Sequence, residues 1–414
     1  MSNSLLKVSG VINYKEKAHV LMDLVKRAAS PSLAYFVCLF ICCFEPKLFV
    51  KYSLINLIYI AGAVGVFAVI LLRYIGSNSK LSPMFWAVVI FRLSNVIQTL
   101  IYGGDILTWG YMTMVVLSIC MIFDFFMPRC PLKVLQALTY ILMIYVLINF
   151  VITLLFPDGL VQGIYFVGIR TRFTEVVFTL MVLTLIVDWM QNKKLSVRSI
   201  ICIIVGISNL FVSWVATALT GLIIVAVVFI LFYSGRDLSK KMTIAFWTIV
   251  SLAITLFIVV LRVQNYFSWL IVDILHKNLT FTGRTYIWDG ALDLIMNHPF
   301  VGVGLGDDGN HIYIGGIYWQ AHNQWLQLLC DGGLLSLLTF LVILMIASRE
   351  CRVNFSSVPY VIVISFFAGF SVMMMSEIYT YMSYFFVLIF LAYHMKDIHK
   401  IKLTQPSLLR KVNK

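Results

Sequence analysis

The chain has 414 residues, of which 61% are hydrophobic and only 12% charged, with a mean hydropathy of +0.96. A water-facing surface needs more charge, so a soluble fold is excluded, and continuous apolar runs of about twenty residues exclude the alternating pattern of a membrane β-barrel. The net charge of +13 is read as topology and contact with anionic lipid headgroups, not as a nucleic-acid interface.

Residues 1–32 are polar and basic and lack a small-residue cleavage site after an apolar core, so a cytoplasmic segment is expected rather than a signal peptide. Apolar spans follow near 33–49, 53–72, 84–100, 107–127, 135–155, 173–190, 199–214, 218–233, 243–261, 323–346, 358–376 and 379–395. The predicted fold is therefore an all-α integral membrane bundle of about twelve helices. Nine spans fill 33–261, three fill 323–395, and residues 396–414 read as a disordered basic cytoplasmic tail. With the N-terminus in the cytoplasm, 23 of the 31 Lys and Arg fall on that side, seven fall outside and Arg92 falls within a span. That asymmetry sets the orientation.

Two external loops stand out in this topology, 156–172 and 262–322, and the cytoplasmic loops are short. Chemistry beyond the bilayer is therefore expected outside. None of the eight cysteines lies in the large loop, and neither CxxC nor HExxH occurs, so no disulfide framework, metal or other cofactor is expected.

In the large loop, residues 283–297 read as a helix with Ile287, Ala291, Leu294 and Ile295 on one face and Arg284, Asp289 and Asp293 on the other. His298-Pro299 ends it. The turn from Gly302 to Gly306 could bring backbone N–H groups to an anion. Arg170, Arg172 and Arg284 are scarce external arginines, and a guanidinium grips phosphate with a fork of donors. His322 opens the next span beside Asn323, and an imidazole titrating near neutrality suits a general base. Within the membrane, Arg92, Asn95 and Gln98 share one helical face, a candidate groove with Asp124 or Glu377 as counter-charge. Asn323 and Glu377 complete that candidate groove.

These residues form an ordered set: Gly283-Arg284-Thr285-Tyr286-Ile287-Trp288, then His298-Pro299-Phe300-Val301-Gly302-Val303-Gly304, then His322-Asn323-Gln324-Trp325-Leu326 to Gly332-Gly333. The set resembles the C-terminal core of the O-antigen ligase and Wzy-type polymerase superfamily. Gly168-Ile169-Arg170-Thr171-Arg172-Phe173 looks like that family's other arginine-bearing loop. The resemblance implies a GT-C-like bundle at the outer face of a bacterial plasma membrane, moving glycan from an undecaprenyl diphosphate carrier to an acceptor hydroxyl. By position, Arg284 and either Arg170 or Arg172 would hold the diphosphate, and His322 would be the base. The wording is closer to repeat-unit polymerases of O-antigen or capsule than to ligases that load lipid A-core or protein. A flippase and a chain-length regulator would be its partners. A lipid-linked oligosaccharide transporter is the alternative of another class, and it predicts polar groups spread along the spans.

Overall fold

A computed structural model describes residues 31–77, 79–234, 241–263, 266, 283–306, 311–352, 357–381 and 383–404. Most of the expected N-terminal segment, the first part of the 262–322 loop and the end of the tail lie outside the described residues.

The helices in chain order are α1 (Leu33–Cys43), α2 (Ser53–Gly76), α3 (Pro83–Leu93), α4 (Val96–Ile101), α5 (Ile106–Phe126), α6 (Pro131–Leu155), α7 (Phe173–Gln191), α8 (Val197–Val212), α9 (Ala216–Ser234) and α10 (Ile244–Thr255). After them come α11 (Arg284–Asn297), α12 (Gln324–Cys351), α13 (Val358–Met373), α14 (Ser383–Tyr393) and α15 (Met395–Thr404). Among the described residues, six helices are long and apolar enough to cross a membrane, and six shorter apolar helices take the other expected positions. Chain chemistry marks the ends: Ser32, Ser82, Ser196, Thr243 and Ser357 each cap a helix with a side-chain oxygen.

α7 is the hub, with 83% of its apolar window buried, against 17% for α2 at the rim. Leu54, Leu57, Ile58 and Leu72 of α2 are largely exposed. So broad an apolar exterior suits contact with acyl chains, not water.

Three elements differ from the sequence expectation. The span at 84–100 breaks at Ser94-Asn95, so Arg92, Asn95 and Gln98 do not lie along one continuous helix. Residues 312–319 form an antiparallel hairpin, β1 (Ile312–Ile314) and β2 (Ile317–Trp319), with Tyr313 opposite Tyr318. Its turn is Gly315-Gly316, with φ of 61° and 85°, the two positive values a tight hairpin turn requires. The tail begins as a helix, α15, where disorder was expected. Its entry is fixed because His394 bonds Asp124 and Asp397, each at 2.9 Å, and Lys396 pairs with Glu350 at 3.2 Å.

Candidate functional site

The site is built where α11, the start of α12 and the segment after α13 meet. Gly283, at φ 85°, turns the chain into α11 and makes Arg284 its first residue. Ile287, Trp288 and Ala291 are buried in a small core with Val259, Ile312, Ala321, Leu326 and Cys330, and Leu294 and Ile295 pack beside it. The predicted apolar face thus holds α11 against α12 and the hairpin. Asp289 on the other face pairs with Arg262.

A break in α12 supports this arrangement. Gly332 and Gly333 leave helical geometry, with Gly333 at φ 60° and ψ −156°. A broken helix in an apolar setting leaves backbone groups that need partners. The segment 299–304 supplies them. Val303 N–H donates to the Cys330 carbonyl at 2.8 Å and Gly304 N–H to the Asp331 carbonyl at 2.7 Å, while Leu334 N–H donates to the Pro299 carbonyl at 2.8 Å. Leu305 N–H donates to Thr99 Oγ1 at 2.8 Å. The glycine turn is therefore not an anion cradle, because these amides are spent on the break and on α4. His-Pro-Phe-Val-Gly-Val-Gly and Asp-Gly-Gly are two halves of one backbone joint.

Asn323 caps α12. Its Oδ1 accepts from Trp325 N–H at 3.0 Å and Leu326 N–H at 3.1 Å, and its Nδ2 donates to Thr255 Oγ1 and the Met375 carbonyl. It is fully buried. With both ends of its amide occupied, Asn323 positions its neighbour and does not line a groove. Gln324 then clamps the segment after α13: its Oε1 accepts from Tyr379 N–H at 2.6 Å and Thr380 N–H at 3.2 Å.

That clamp sets Glu377 in place. Glu377 Oε1 lies 3.5 Å from an Arg284 nitrogen, and Arg172 is within electrostatic range. Burial lifts the Glu377 carboxyl above its usual range, and the two arginines pull it back down. Arg172 donates to Glu175 Oε1 at 2.9 Å and to the Ile378 carbonyl. His322 sits at φ 45°, a strained value for a residue with a Cβ. Its ring makes no hydrogen bond to another described residue. Burial first, then the charges of Arg284 and Arg172, press the imidazole from 6.5 down to about 4. Arg172, Arg284, Glu377 and His322 therefore form one electrostatic cluster.

The two neighbouring arginines part company. Arg170 donates from Nε to Tyr165 Oη at 3.0 Å and from a terminal nitrogen to the Pro157 carbonyl, bracing its own loop. Arg92 is also elsewhere. It is 3% exposed, donates to Thr113 Oγ1 at 2.9 Å and to the Trp109 carbonyl, and has Asp331 as its nearby carboxylate. The expected counter-charges are otherwise engaged, Asp124 by His394 and Glu377 by Arg284. Two acidic residues escaped the sequence reading. Glu175 is buried three residues beyond Arg172, a spacing that puts them on one helical face. Asp331 binds His311 at 2.9 Å, Gln327 at 2.8 Å and Tyr381 at 2.7 Å.

Residues 200–341 match the family model Wzy_C, described as O-antigen ligase. The match bears out the resemblance to the O-antigen ligase and Wzy-type superfamily. The matched segment holds Arg284, the backbone joint and His322; Arg172 and Glu377 reach it from outside the matched residues. No curated protein matches the chain.

Proposed function

We propose that the chain is a membrane glycosyltransferase that takes glycan from undecaprenyl diphosphate at the outer face of a bacterial plasma membrane. The observation that carries this reading is the convergence of Arg172, Arg284 and an imidazole with no hydrogen-bond partner among the described residues. In the proposed reaction the acceptor oxygen attacks the anomeric carbon as its proton passes to His322. The anomeric C–O bond breaks and its electron pair leaves with the diphosphate, which Arg172 and Arg284 neutralise. Attack opposite the leaving group inverts the anomeric centre. Arg170 has no part in this scheme, since its guanidinium bonds Tyr165 and Pro157 and is not among the charges acting on His322 and Glu377.

In the free protein His322 is too weak a base for an efficient proton transfer at neutral pH, because the effective base has a pKa near the working pH. Burial is the larger cause of that weakness, and a bound diphosphate cancels the second, the arginine charges, so the imidazole rises part of the way back. Substrate therefore arms its own base. Glu377 holds Arg284 and Glu175 holds Arg172 until then, sparing the low-dielectric site two uncompensated cations.

Polymerisation of lipid-linked repeat units into O-antigen or capsule is the leading form of this activity, on the likeness of the GRTYIW and HNQWLQLL segments. Ligation to lipid A-core or a protein shares every step up to the acceptor, and the family description favours it. A flippase and a chain-length regulator are the proposed partners. In a complemented null strain, Arg284→Ala and His322→Ala are each expected to abolish long-chain glycan at unchanged protein level. A normal glycan length distribution from either variant refutes the proposal.

A further inference from the structure

A cavity of about 640 Å³ opens between the turn after α1, the sides of α2 and α5, and the residues preceding α14. Its size is that of a small-molecule site, not a packing fault. Its lining has two kinds of surface. Cys43, Ile60, Val115 and Val116 make part of it apolar, while Glu45, Asn56, Asp105, Thr108 and Thr380 bring hydrogen-bonding groups and Tyr111 and Tyr384 bring rings. Glu45 Oε2 accepts from Tyr111 Oη at 3.4 Å, and the Asn56 amide nitrogen, once its amide is oriented to donate, lies 3.2 and 3.3 Å from the two Glu45 oxygens.

The charge decides what fits. Two carboxylates face one ammonium, Lys47, so the cavity carries no positive excess for a diphosphate. Carboxylate and amide groups beside aromatic faces suit a neutral polyhydroxylated ligand, whose hydroxyls donate and whose ring C–H faces stack. The cavity wall is also tied to the reaction cluster through the chain and through Gln324. Thr380 and Tyr381 form part of its wall, three and four residues beyond Glu377, and Gln324 pins Thr380 from both its N–H and its hydroxyl. Gln324 lies two residues after His322.

We propose that this cavity receives the hydroxyl-bearing sugar end of the acceptor glycan and presents it toward His322, an assignment that rests on the glycosyl-transfer reading above. The arginine cluster and the cavity then divide the substrates by charge, anionic carrier on one side and neutral sugar on the other.

Gly110 tests this. It lines the cavity, and a Cβ there would meet nothing within 4 Å. A larger residue at this α5 position fills the space without opposing the helix. Two probes are used on the purified full chain: undecaprenyl diphosphate, and the repeat-unit oligosaccharide freed by mild acid from the lipid carrier of cells lacking this protein. Gly110→Trp is expected to weaken oligosaccharide binding at least tenfold and to leave undecaprenyl diphosphate binding unchanged. Gly110→Ala keeps wild-type binding of both. Arg284→Ala shows the reverse pattern, losing the carrier and keeping the oligosaccharide. Glu45→Gln, which keeps the side-chain shape, weakens the oligosaccharide several-fold and provides the same reading should Gly110→Trp fail to fold. No oligosaccharide binding by the wild type, or unchanged binding by both Gly110→Trp and Glu45→Gln, overturns the cavity assignment. Failure of the wild type to bind undecaprenyl diphosphate counts instead against the glycosyl-transfer reading.

Discussion

At the scale of single residues, the state of His322 is set by its surroundings more than by its type. Burial and two guanidinium groups favour the neutral ring, so the free protein keeps a deprotonated imidazole down to about pH 4. The direction of a mutation follows: removing a neighbouring positive charge makes protonation easier. Arg284→Gln is therefore expected to move the His322 titration upward from about 4 toward 6.5, read by NMR on selectively labelled histidine. An unchanged or lower value refutes the electrostatic coupling. The acid limb of kcat/KM, which reports the free protein, should likewise lie near 4, and that of kcat higher once diphosphate is bound. The arginine pair offers a sharper comparison. Arg172→Ala is expected to cut turnover by about 10²–10³-fold, the usual loss for one preorganised donor at a developing charge, while Arg170→Ala stays within a few-fold of wild type. Equal losses from the two would sink the division of roles. Arg284 and His322 were legible as candidates in the sequence because scarce polar residues stood at the edges of apolar spans. The choice between Arg170 and Arg172 was not, because both lie in one short turn and only packing shows which guanidinium faces Glu175 and which faces Pro157. Glu175 was hidden for the opposite reason: it sits inside a span whose composition announces only an apolar helix.

At the scale of elements, the joint between residues 299–304 and the break in α12 holds the site together. The motifs were visible as letters, yet their partnership was not, because nothing in a sequence says which carbonyls a turn will satisfy. The hairpin was missed since three-residue strands carry no periodicity, although Gly315-Gly316 is a turn signal. The glycine at 333 allows a direct test. Its φ of 60° disfavours any other residue, and an added Cβ would come 2.3 Å from the Phe300 carbonyl carbon and the Val301 nitrogen. Gly333→Ala should cost about 1–3 kcal/mol in backbone strain alone, with the contact adding to it. In detergent the variant is expected to melt earlier than wild type and to lose activity with it, because His322 lies two residues before the start of α12. Gly103→Ala is the control: its φ is 67° but a Cβ there meets nothing within 4 Å, so only the strain remains. Equal melting of the two variants would show that the joint is not rigid.

At the scale of the whole molecule, the apolar exterior and the one-sided charge predict how the bundle sits in a bilayer. The candidate span from Arg170 to Gln191 has 22 residues, about 33 Å of helix, enough for a hydrocarbon core of about 30 Å. It starts beside Arg172 in the cluster and ends before the turn that leads into α8. The cluster and the α7–α8 turn therefore belong at opposite faces. Leu195 in that turn and Tyr313 in the hairpin are both well exposed, at 57% and 63%, so each can report its compartment. With the eight native cysteines replaced, Tyr313→Cys should react with a membrane-impermeant maleimide in intact spheroplasts. Leu195→Cys should react only after permeabilisation. The orientation rests on lysine and arginine counts, whereas the chemistry needs the lipid-linked donor on the same side as His322, so one labelling experiment tests both. Labelling of Leu195→Cys from outside would invert the bundle, place His322 in the cytoplasm and remove the ground for an outer-face transferase.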